Sequence, residues 1–230
     1  LMRVARRIEK VVLRRFDAVI LNWESYQGGA GLPSRQITVL DKVSTEKTAT
    51  WTPQSRFWVY AGNFMWYQGV LSFLEAMATS DCSVELLLIG SPDAKTTRAV
   101  RRLGVDSQVH FAGSLPVEKV NFALAKAEAA IAPRVSGRQP SMKIVHYLVN
   151  GTPVIASDIE ANRELLLNRE NAILYRDHAE LVRVLRRLAN DPSELSDLRR
   201  GAERSKQHIL ELWDDDRLLR VVLAGDDRAA

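Results

Sequence analysis

The sequence predicts an α/β protein in which a Rossmann-like parallel sheet is flanked by helices, with a smaller piece in front of it. Short β-rich runs alternate almost without interruption with segments of helical periodicity between Phe57 and Asn190, as in successive βα units. A hydrophobic fraction of 46% over 230 residues is enough to build a buried core. Residues 43–56, "VSTEKTATWTPQSR", are polar and have no hydrophobic period, so they predict a linker.

The front piece is predicted to contain one basic helix, two strands and the glycine-rich stretch "QGGAGLPS" between them. It is too small for a core of its own, so we interpret it as the remnant of a preceding domain. The strands are expected at Asp17–Asn22 and Gln36–Lys42.

Beyond the linker, β-rich runs bounded by turn residues predict six more strands, each leading into a helix with apolar residues three and four positions apart. The strands are expected at Phe57–Gly62, Val84–Gly90, Val109–Ala112, Ala129–Pro133, Pro153–Ser157 and Ala172–Tyr175. The helices are expected at Gly69–Thr79, Ala94–Leu103, Val117–Lys126, Pro140–Asn150, Asn162–Leu167, Ala179–Asn190 and Ser193–Glu211.

The positive charge of the chain is concentrated at its start. Six basic residues against one acid give the first helix a charge of +5, while the whole chain carries +4, so the remainder sums to −1. This distribution argues against a general nucleic-acid-binding surface. We expect the basic face to be solvated, and the alternative is adhesion to an anionic membrane.

The sequence lacks the signatures of several other classes of protein. The apolar runs are too short to cross a bilayer, and the single Cys82 excludes a disulfide framework and fits a reducing compartment, so a soluble cytoplasmic protein is expected. We find no G-x-G-x-x-G after a strand, no P-loop, no nucleophile elbow and no H-E-x-x-H. The scattered His and acidic residues predict no metal site.

Ligands of open parallel sheets bind beyond the carboxyl ends of the strands, where three loops are candidates. The first is "YAGNFMWYQG", in which Gly62 permits close backbone approach and Gly69 precedes a helix. The second is "VHFAGSLP", in which Gly113 ends a strand and Pro116 starts a helix. Each loop alone is compatible with an ordinary turn.

The third candidate is the helix beginning in "QPSMKIVHYLVNG". Gln139 is the predicted N-cap and Pro140 the first helical residue, so that the next three N–H groups, of Ser141, Met142 and Lys143, are free to bind a phosphate. Helical spacing predicts a buried stripe of Met142, Val145, Leu148 and Val149. Lys143, His146, Tyr147 and Asn150 are expected on another face.

In order, "VYAGNFMWYQGVLSFLEAMA", "VELLLIGS", "VHFAGSLPVEKVNFALAKAEAAIAP", "GRQPSMKIVHYLVNGTPVIASDIEANRELL" and "NAILYRDHAELVRVLRRLANDP" resemble the nucleotide-sugar-binding half of GT-B glycosyltransferases of group 1, or family four. The resemblance covers about residues 57–205. It implies division into an acceptor-domain remnant with linker (1–48), a nucleotide-sugar-binding domain (49–205) and a closing helix with tail (206–230).

The chain departs from this family at four positions. Members usually carry an arginine and a lysine in the first loop, where this chain has Asn63 and Gln68. Paired glutamates that contact the donor sugar and ribose fall on Arg138 and His146. Arg134, Arg138 and Lys143 are predicted to replace the positive charge lost from the first loop, from the opposite side of the donor-binding cleft.

The resemblance implies retaining, metal-independent transfer of a sugar from a UDP- or GDP-sugar to a glycan or lipid-linked acceptor, without turnover by this fragment alone. The residues expected to contact the donor are Gly62, Asn63, Gln68, Gly113, Ser114, Leu115, Arg134, Gly137, Arg138, Ser141, Met142, Lys143 and His146. Two alternatives are a non-catalytic nucleotide-sugar-binding or scaffold module and a sugar-nucleotide epimerase.

Overall fold

The computed structural model describes residues 18–21, 35–38, 42–136 and 141–213, and the chain divides into two compact units. One unit comprises residues 43–207 and the other residues 1–42 with 208–230. In the smaller unit, strands β1 (Ala18–Leu21) and β2 (Arg35–Thr38) pair in parallel. The predicted basic helix and the glycine-rich stretch lie outside the described residues.

The larger unit is built on a six-stranded, all-parallel sheet with the order β5-β4-β3-β6-β7-β8, which confirms the predicted fold class. The six strands predicted for this unit agree with the observed ones to within one residue at each end. Their bounds are Phe57–Ala61 (β3), Glu85–Ile89 (β4), Val109–Gly113 (β5), Ala129–Ala132 (β6), Val154–Ser157 (β7) and Ala172–Tyr175 (β8). In the smaller unit, the strand predicted at Gln36–Lys42 is observed at Arg35–Thr38, and Lys42 lies in no strand.

Helices cover the sheet, whose central strands are buried on both faces as expected of a parallel sheet. Trp58 and Tyr60 of β3 and Leu86 of β4 are fully buried and belong to one hydrophobic core with Phe73. The helices span Val70–Ser80 (α1), Ala94–Arg102 (α2), Val117–Lys126 (α3), Met142–Val149 (α4), Glu160–Arg163 (α5), His178–Asn190 (α6) and Ser193–Leu212 (α7).

The prediction of a helix over Asn162–Leu167 is wrong, because α5 begins at Glu160 and ends at Arg163. The side chain of Asn171 explains the early end. Its Oδ1 accepts from the N–H of Leu167 (2.8 Å), and its Nδ2 donates to the carbonyl of Leu165 (3.1 Å). These bonds replace the ones that a continuing helix would make.

The chain reverses its direction of travel across the sheet at β3. Strands β4 and β5 follow on one side of β3, and β6, β7 and β8 follow on the other. The connections after β3 and β6 therefore lead in opposite directions across the sheet, and we call the region at the carboxyl ends of these two strands the crevice. Ligands of open α/β sheets bind at such a switch point.

The predicted linker has no helix or strand between residues 43 and 56, as the sequence indicates. It nevertheless forms hydrogen bonds with residues of α3. Thr48 N–H donates to the carbonyl of Glu118 (3.0 Å), and the carbonyls of Ser44 and Glu46 accept from the Asn121 side chain. Part of the linker is therefore held against the larger unit.

Candidate functional site

The loop after β3 is shaped by glycines where other residues would collide or be strained. Gly69 has a φ of +71°, and a Cβ there would lie 1.8 Å from the carbonyl oxygen of Pro133. The N–H of Val135 donates to the carbonyl of Tyr67 (2.9 Å) in the same region. The loop after β3 is thus packed against the segment after β6, across the switch point.

Lys143 of α4 reaches into this crevice. Its Nζ donates to Gln68 Oε1 (2.7 Å) and Tyr60 Oη (2.9 Å), and it lies 4.3 Å from the centroid of the Tyr60 ring. A Cβ on Gly62 would lie only 3.0 Å from the same Nζ. The structure therefore brings together Gly62, Gln68 and Lys143, three of the residues expected to contact a ligand.

The environment of Lys143 changes its acid–base behaviour. Burial, and secondarily the nearby Arg134, lower the pKa of Lys143 to about 7. The side chain is thus poised between its charged and neutral forms at neutral pH. A bound anion would favour the charged form, because an opposite charge within a few ångströms stabilises the ammonium.

Two tyrosines hold this region, and neither was among the predicted site residues. Tyr60 accepts from Lys143 and donates to the carbonyl of Asn63, which fixes the start of the loop. Tyr147 Oη accepts from the N–H of Ala61 (3.0 Å) and donates to its carbonyl (3.2 Å). Burial raises the pKa of both hydroxyls, so both remain protonated donors.

The prediction that Tyr147 and Asn150 lie on a non-core face of α4 is wrong. Tyr147 is fully buried and Asn150 is nearly so, while Met142 is only half-buried. Tyr147 Oη bonds to the backbone of Ala61, and Asn150 Nδ2 donates to the carbonyl of His146 (2.9 Å), so these groups are paired inside. Asn150 Oδ1 is buried without a hydrogen-bond partner among the described residues. Spacing alone did not show this.

Helix α4 begins later than predicted. Ser141, with φ −88° and ψ 128°, is the N-cap, and Met142 is the first helical residue, so Gln139 is not the N-cap. The extended backbone of Ser141 accounts for the shift, since a helix cannot include it. The Ser141 side chain makes no capping bond, while its carbonyl accepts from the N–H of Ile144 (2.8 Å). Pro140 and Gln139 lie outside the described residues.

A cleft of about 510 Å³ opens on the β4 and β5 side of Gly62. Candidate residues from the first two predicted loops and from α4 meet there. Ser91, which was not predicted, lies there as well, two residues after the end of β4. Ser91 Oγ and Ser114 Oγ are 3.0 Å apart. The lining includes Gly62, Asn63, Ser91, Ser114, Leu115 and His146.

His146 lies at the inner wall of this cleft, one turn after Lys143. Its Nε2 is hydrogen-bonded to Asn121 Oδ1, and burial lowers the pKa of the ring. The imidazole is therefore neutral at pH 7. The other expected residue of the second loop, Gly113, has a φ of +67° and turns the chain at the end of β5.

Arg134 lies on the β6 side of the crevice. Its guanidinium carbon is 5.9 Å from the centroid of the Tyr67 ring, and its carbonyl accepts from Ser157 Oγ. The predicted contacts Gly137 and Arg138 lie outside the described residues. In the described part of the chain, no group of three His, Cys, Asp or Glu side chains could hold a metal ion, and no helix is long and apolar enough to span a bilayer.

Comparison with known proteins identifies the family. Residues 55–191 match the model of the family described as glycosyl transferases group 1. The chain belongs to the group 1 glycosyltransferases. The family resemblance seen in the sequence is thereby confirmed.

Two curated relatives are mannosyltransferases. The chain is 30% identical over 153 residues to the MMP alpha-(1->4)-mannosyltransferase of Mycolicibacterium hassiacum, covering 64% of this chain and 36% of that protein. It is 28% identical over 106 residues to the phosphatidyl-myo-inositol mannosyltransferase of Mycobacterium leprae, covering 45% and 28%. The match thus spans about a third of these relatives' length.

Solved structures share the fold. Anabaena HepE in complex with UDP aligns with a TM-score of 0.78 at 17% identity, over 95% of this chain and 67% of that one. Sucrose-phosphate synthase from Thermosynechococcus elongatus aligns with a TM-score of 0.73 at 18% identity, over 95% and 61%. At such identities the likeness concerns the fold of this group 1 glycosyltransferase chain and not its substrate.

Proposed function

We propose that the chain binds a nucleotide diphosphate sugar at the switch point between β3 and β6 and supplies the donor side of a sugar transfer. The acceptor is a glycan or a lipid-linked sugar, and the configuration at the transferred carbon is retained. A UDP- or GDP-sugar is the expected substrate class. No metal ion or other cofactor is needed in this proposal, because protein groups carry the positive charge.

The observation that carries the proposal is the position of Lys143. Its ammonium lies at the carboxyl ends of the strands, between the loop after β3 and the start of α4. Gln68 holds it, at the position where family members usually carry a lysine. Helix α4 therefore places a lysine ammonium in the region where other family members place the lysine of the first loop. This charge compensates for the presence of Gln68 at that position.

The diphosphate would lie between the ammonium group of Lys143 and the backbone N–H groups of the first turn of α4. The N–H groups of Met142 and Lys143 point along the helix axis from a turn that Ser141 does not cap through its side chain, so the partial positive charge of the helix end adds to the ammonium. Arg134 would contribute from the β6 side. Stabilising charge on the leaving diphosphate is the main contribution such a site makes to catalysis.

The sugar and nucleoside would extend into the 510 Å³ cleft beside Gly62. Asn63, Ser114 and His146 offer polar groups to hydroxyls there. The backbone of Gly113 and Leu115 would border the base, since a turn leaves its N–H and C=O groups available to a flat ring.

The acceptor side is not part of this site. We expect these 230 residues to bind the donor without turning it over, because an acceptor must be presented across the crevice. Membrane association through the basic residues 3–15 stays a prediction, as does the cytoplasmic location.

Calorimetric titration of the chain with UDP, GDP and their glucose and mannose conjugates tests the proposal. We expect one saturable site for at least one of these ligands and no product without acceptor. The absence of binding to all of them would support a scaffold that has lost the donor site. Hydrolysis or epimerisation of the donor without an acceptor would contradict the proposed transfer.

A further inference from the structure

Asn121 is a fully buried amide in the middle of α3, directly behind the cleft. Its Nδ2 donates to the carbonyls of Ser44 (2.9 Å) and Glu46 (2.6 Å) in the linker segment. A carbonyl oxygen can only accept a hydrogen bond, so the nitrogen of the amide must face these two groups. The linker carbonyls therefore fix which way the Asn121 amide points.

The oxygen of the same amide faces α4. Asn121 Oδ1 accepts from Asn150 Nδ2 (3.1 Å) and is hydrogen-bonded to His146 Nε2. An amide oxygen cannot donate, so the proton of this second bond must reside on Nε2. The opposite tautomer would place two acceptors against each other in a buried position, where an unmade hydrogen bond is costly.

The remaining ring nitrogen of His146 follows from this constraint. Burial lowers the pKa of the ring, and a neutral imidazole carries only one N–H. With that proton on Nε2, Nδ1 has a lone pair and can only accept. His146 lines the cleft. Because Nε2 is bonded to Asn121, the ring nitrogen left for a ligand is Nδ1, an acceptor without a negative charge.

We propose that Asn121 is a positioning residue that holds His146 in the Nε2–H tautomer, so that Nδ1 accepts a hydrogen bond from a hydroxyl of the bound donor. The ligand contact rests on the proposed function, whereas the tautomer does not depend on it. The linker segment thus determines a contact in the cleft through the amide of Asn121 and the ring of His146.

Long-range ¹⁵N–¹H NMR of the unmodified chain at pH 7.5 tests the tautomer directly. The shifts of the two imidazole nitrogens distinguish protonated from bare nitrogen, and His146→Gln identifies the signals among the four histidines. We expect Nε2 protonated and Nδ1 bare. A protonated Nδ1 with a bare Nε2 would overturn the proposal.

Replacing the amide tests its positioning role. In Asn121→Asp the carboxylate stabilises a protonated ring, so we expect both His146 nitrogens to show protonated shifts at pH 7. Asn162→Asp is the matched control, because Asn162 is also fully buried but bonds Ser157 instead. Unchanged His146 signals in Asn121→Asp would contradict the positioning role, and a variant that does not fold leaves the wild-type spectrum decisive.

Addition of UDP-glucose or GDP-mannose, whichever binds, tests the ligand contact. We expect the Nδ1 signal of wild type to move as its lone pair is engaged, and the dissociation constant to rise at least tenfold in Asn121→Asp. Binding that leaves the Nδ1 shift in place would overturn the contact. Failure of wild type to bind any nucleotide sugar would instead refute the proposed function, and the spectrum without ligand would still decide the tautomer.

Discussion

The ammonium of Lys143 lies 2.7 Å from Gln68 Oε1, across the point where the sheet reverses its strand order. Gln68 is nearly buried, with 6% of its surface exposed, and comes from the loop after β3, while Lys143 comes from the helix after β6. This pair connects the two loops that border the crevice. It also places a titratable cation where a diphosphate is expected.

Removal of the Lys143 side chain should weaken nucleotide diphosphate binding. We expect Lys143→Ala to cost about 1.5–3 kcal/mol of binding free energy, the usual value of a hydrogen bond to a charged group. Calorimetric titration measures it. Lys126→Ala is the matched control, since Lys126 is an exposed lysine at the far end of α3. Equal affinities of the two variants would remove Lys143 from the site.

The affinity for a nucleotide sugar should fall as the pH rises above 7. In the free protein the pKa of Lys143 is about 7, and a bound diphosphate raises it, so the complex holds more protons than the free protein at higher pH. The affinity is then highest below pH 7 and falls by up to about tenfold per pH unit above it.

Titrations of the nucleotide sugar at pH 8 in buffers of different ionisation enthalpy should show uptake of close to one proton on binding. Lys143→Met should abolish both effects, and a persisting slope would assign the titration to another group.

The close approach of the two loops can be tested at Gly69. Gly69→Ala should lower the free energy of unfolding by about 1–3 kcal/mol more than Gly104→Ala, as measured by urea denaturation. Both glycines have φ near +70°, so both variants incur the same backbone strain. Only the Cβ at residue 69 meets a backbone atom, because nothing lies within 4 Å of the one at residue 104. Equal losses would mean that the loop moves aside freely.

The hydroxyl of Tyr147 should protect the end of β3. Strand β6 pairs with Trp58 and Val59 but not with Ala61, whose N–H donates to Tyr147 Oη instead. Tyr147→Phe leaves this N–H without its partner, at a cost of about 1–3 kcal/mol. Amide hydrogen exchange should accelerate at Ala61 and remain slow at Val59. Equal exchange in wild type and variant would show that water replaces the hydroxyl without cost.

The sheet could be predicted from the sequence because each strand is a short apolar run between turn residues, as in "VELLLIGS". The loop after β3, with Gly62 and Gly69, and the location of Lys143 opposite it could also be predicted. The partners of Lys143 were not, since Tyr60 belongs to a buried strand and its hydroxyl can be placed only in three dimensions.

The amide network behind the cleft was missed for a related reason. Asn121 sits in the apolar stripe of α3 beside Val120 and Leu124, where a polar residue signals an internal hydrogen bond. That signal was available, but its partners are two linker carbonyls 75 and 77 positions away in the chain. The same limitation explains why Tyr147 and Asn150 were assigned to the wrong face.

A crystal structure of the chain with its nucleotide diphosphate tests the central claim most directly. We expect a phosphate oxygen within about 2.7–2.9 Å of Lys143 Nζ, the usual length of a charge-assisted hydrogen bond, with the diphosphate at the first turn of α4. A nucleotide bound elsewhere, with Lys143 still held only by Gln68 and Tyr60, would contradict the account.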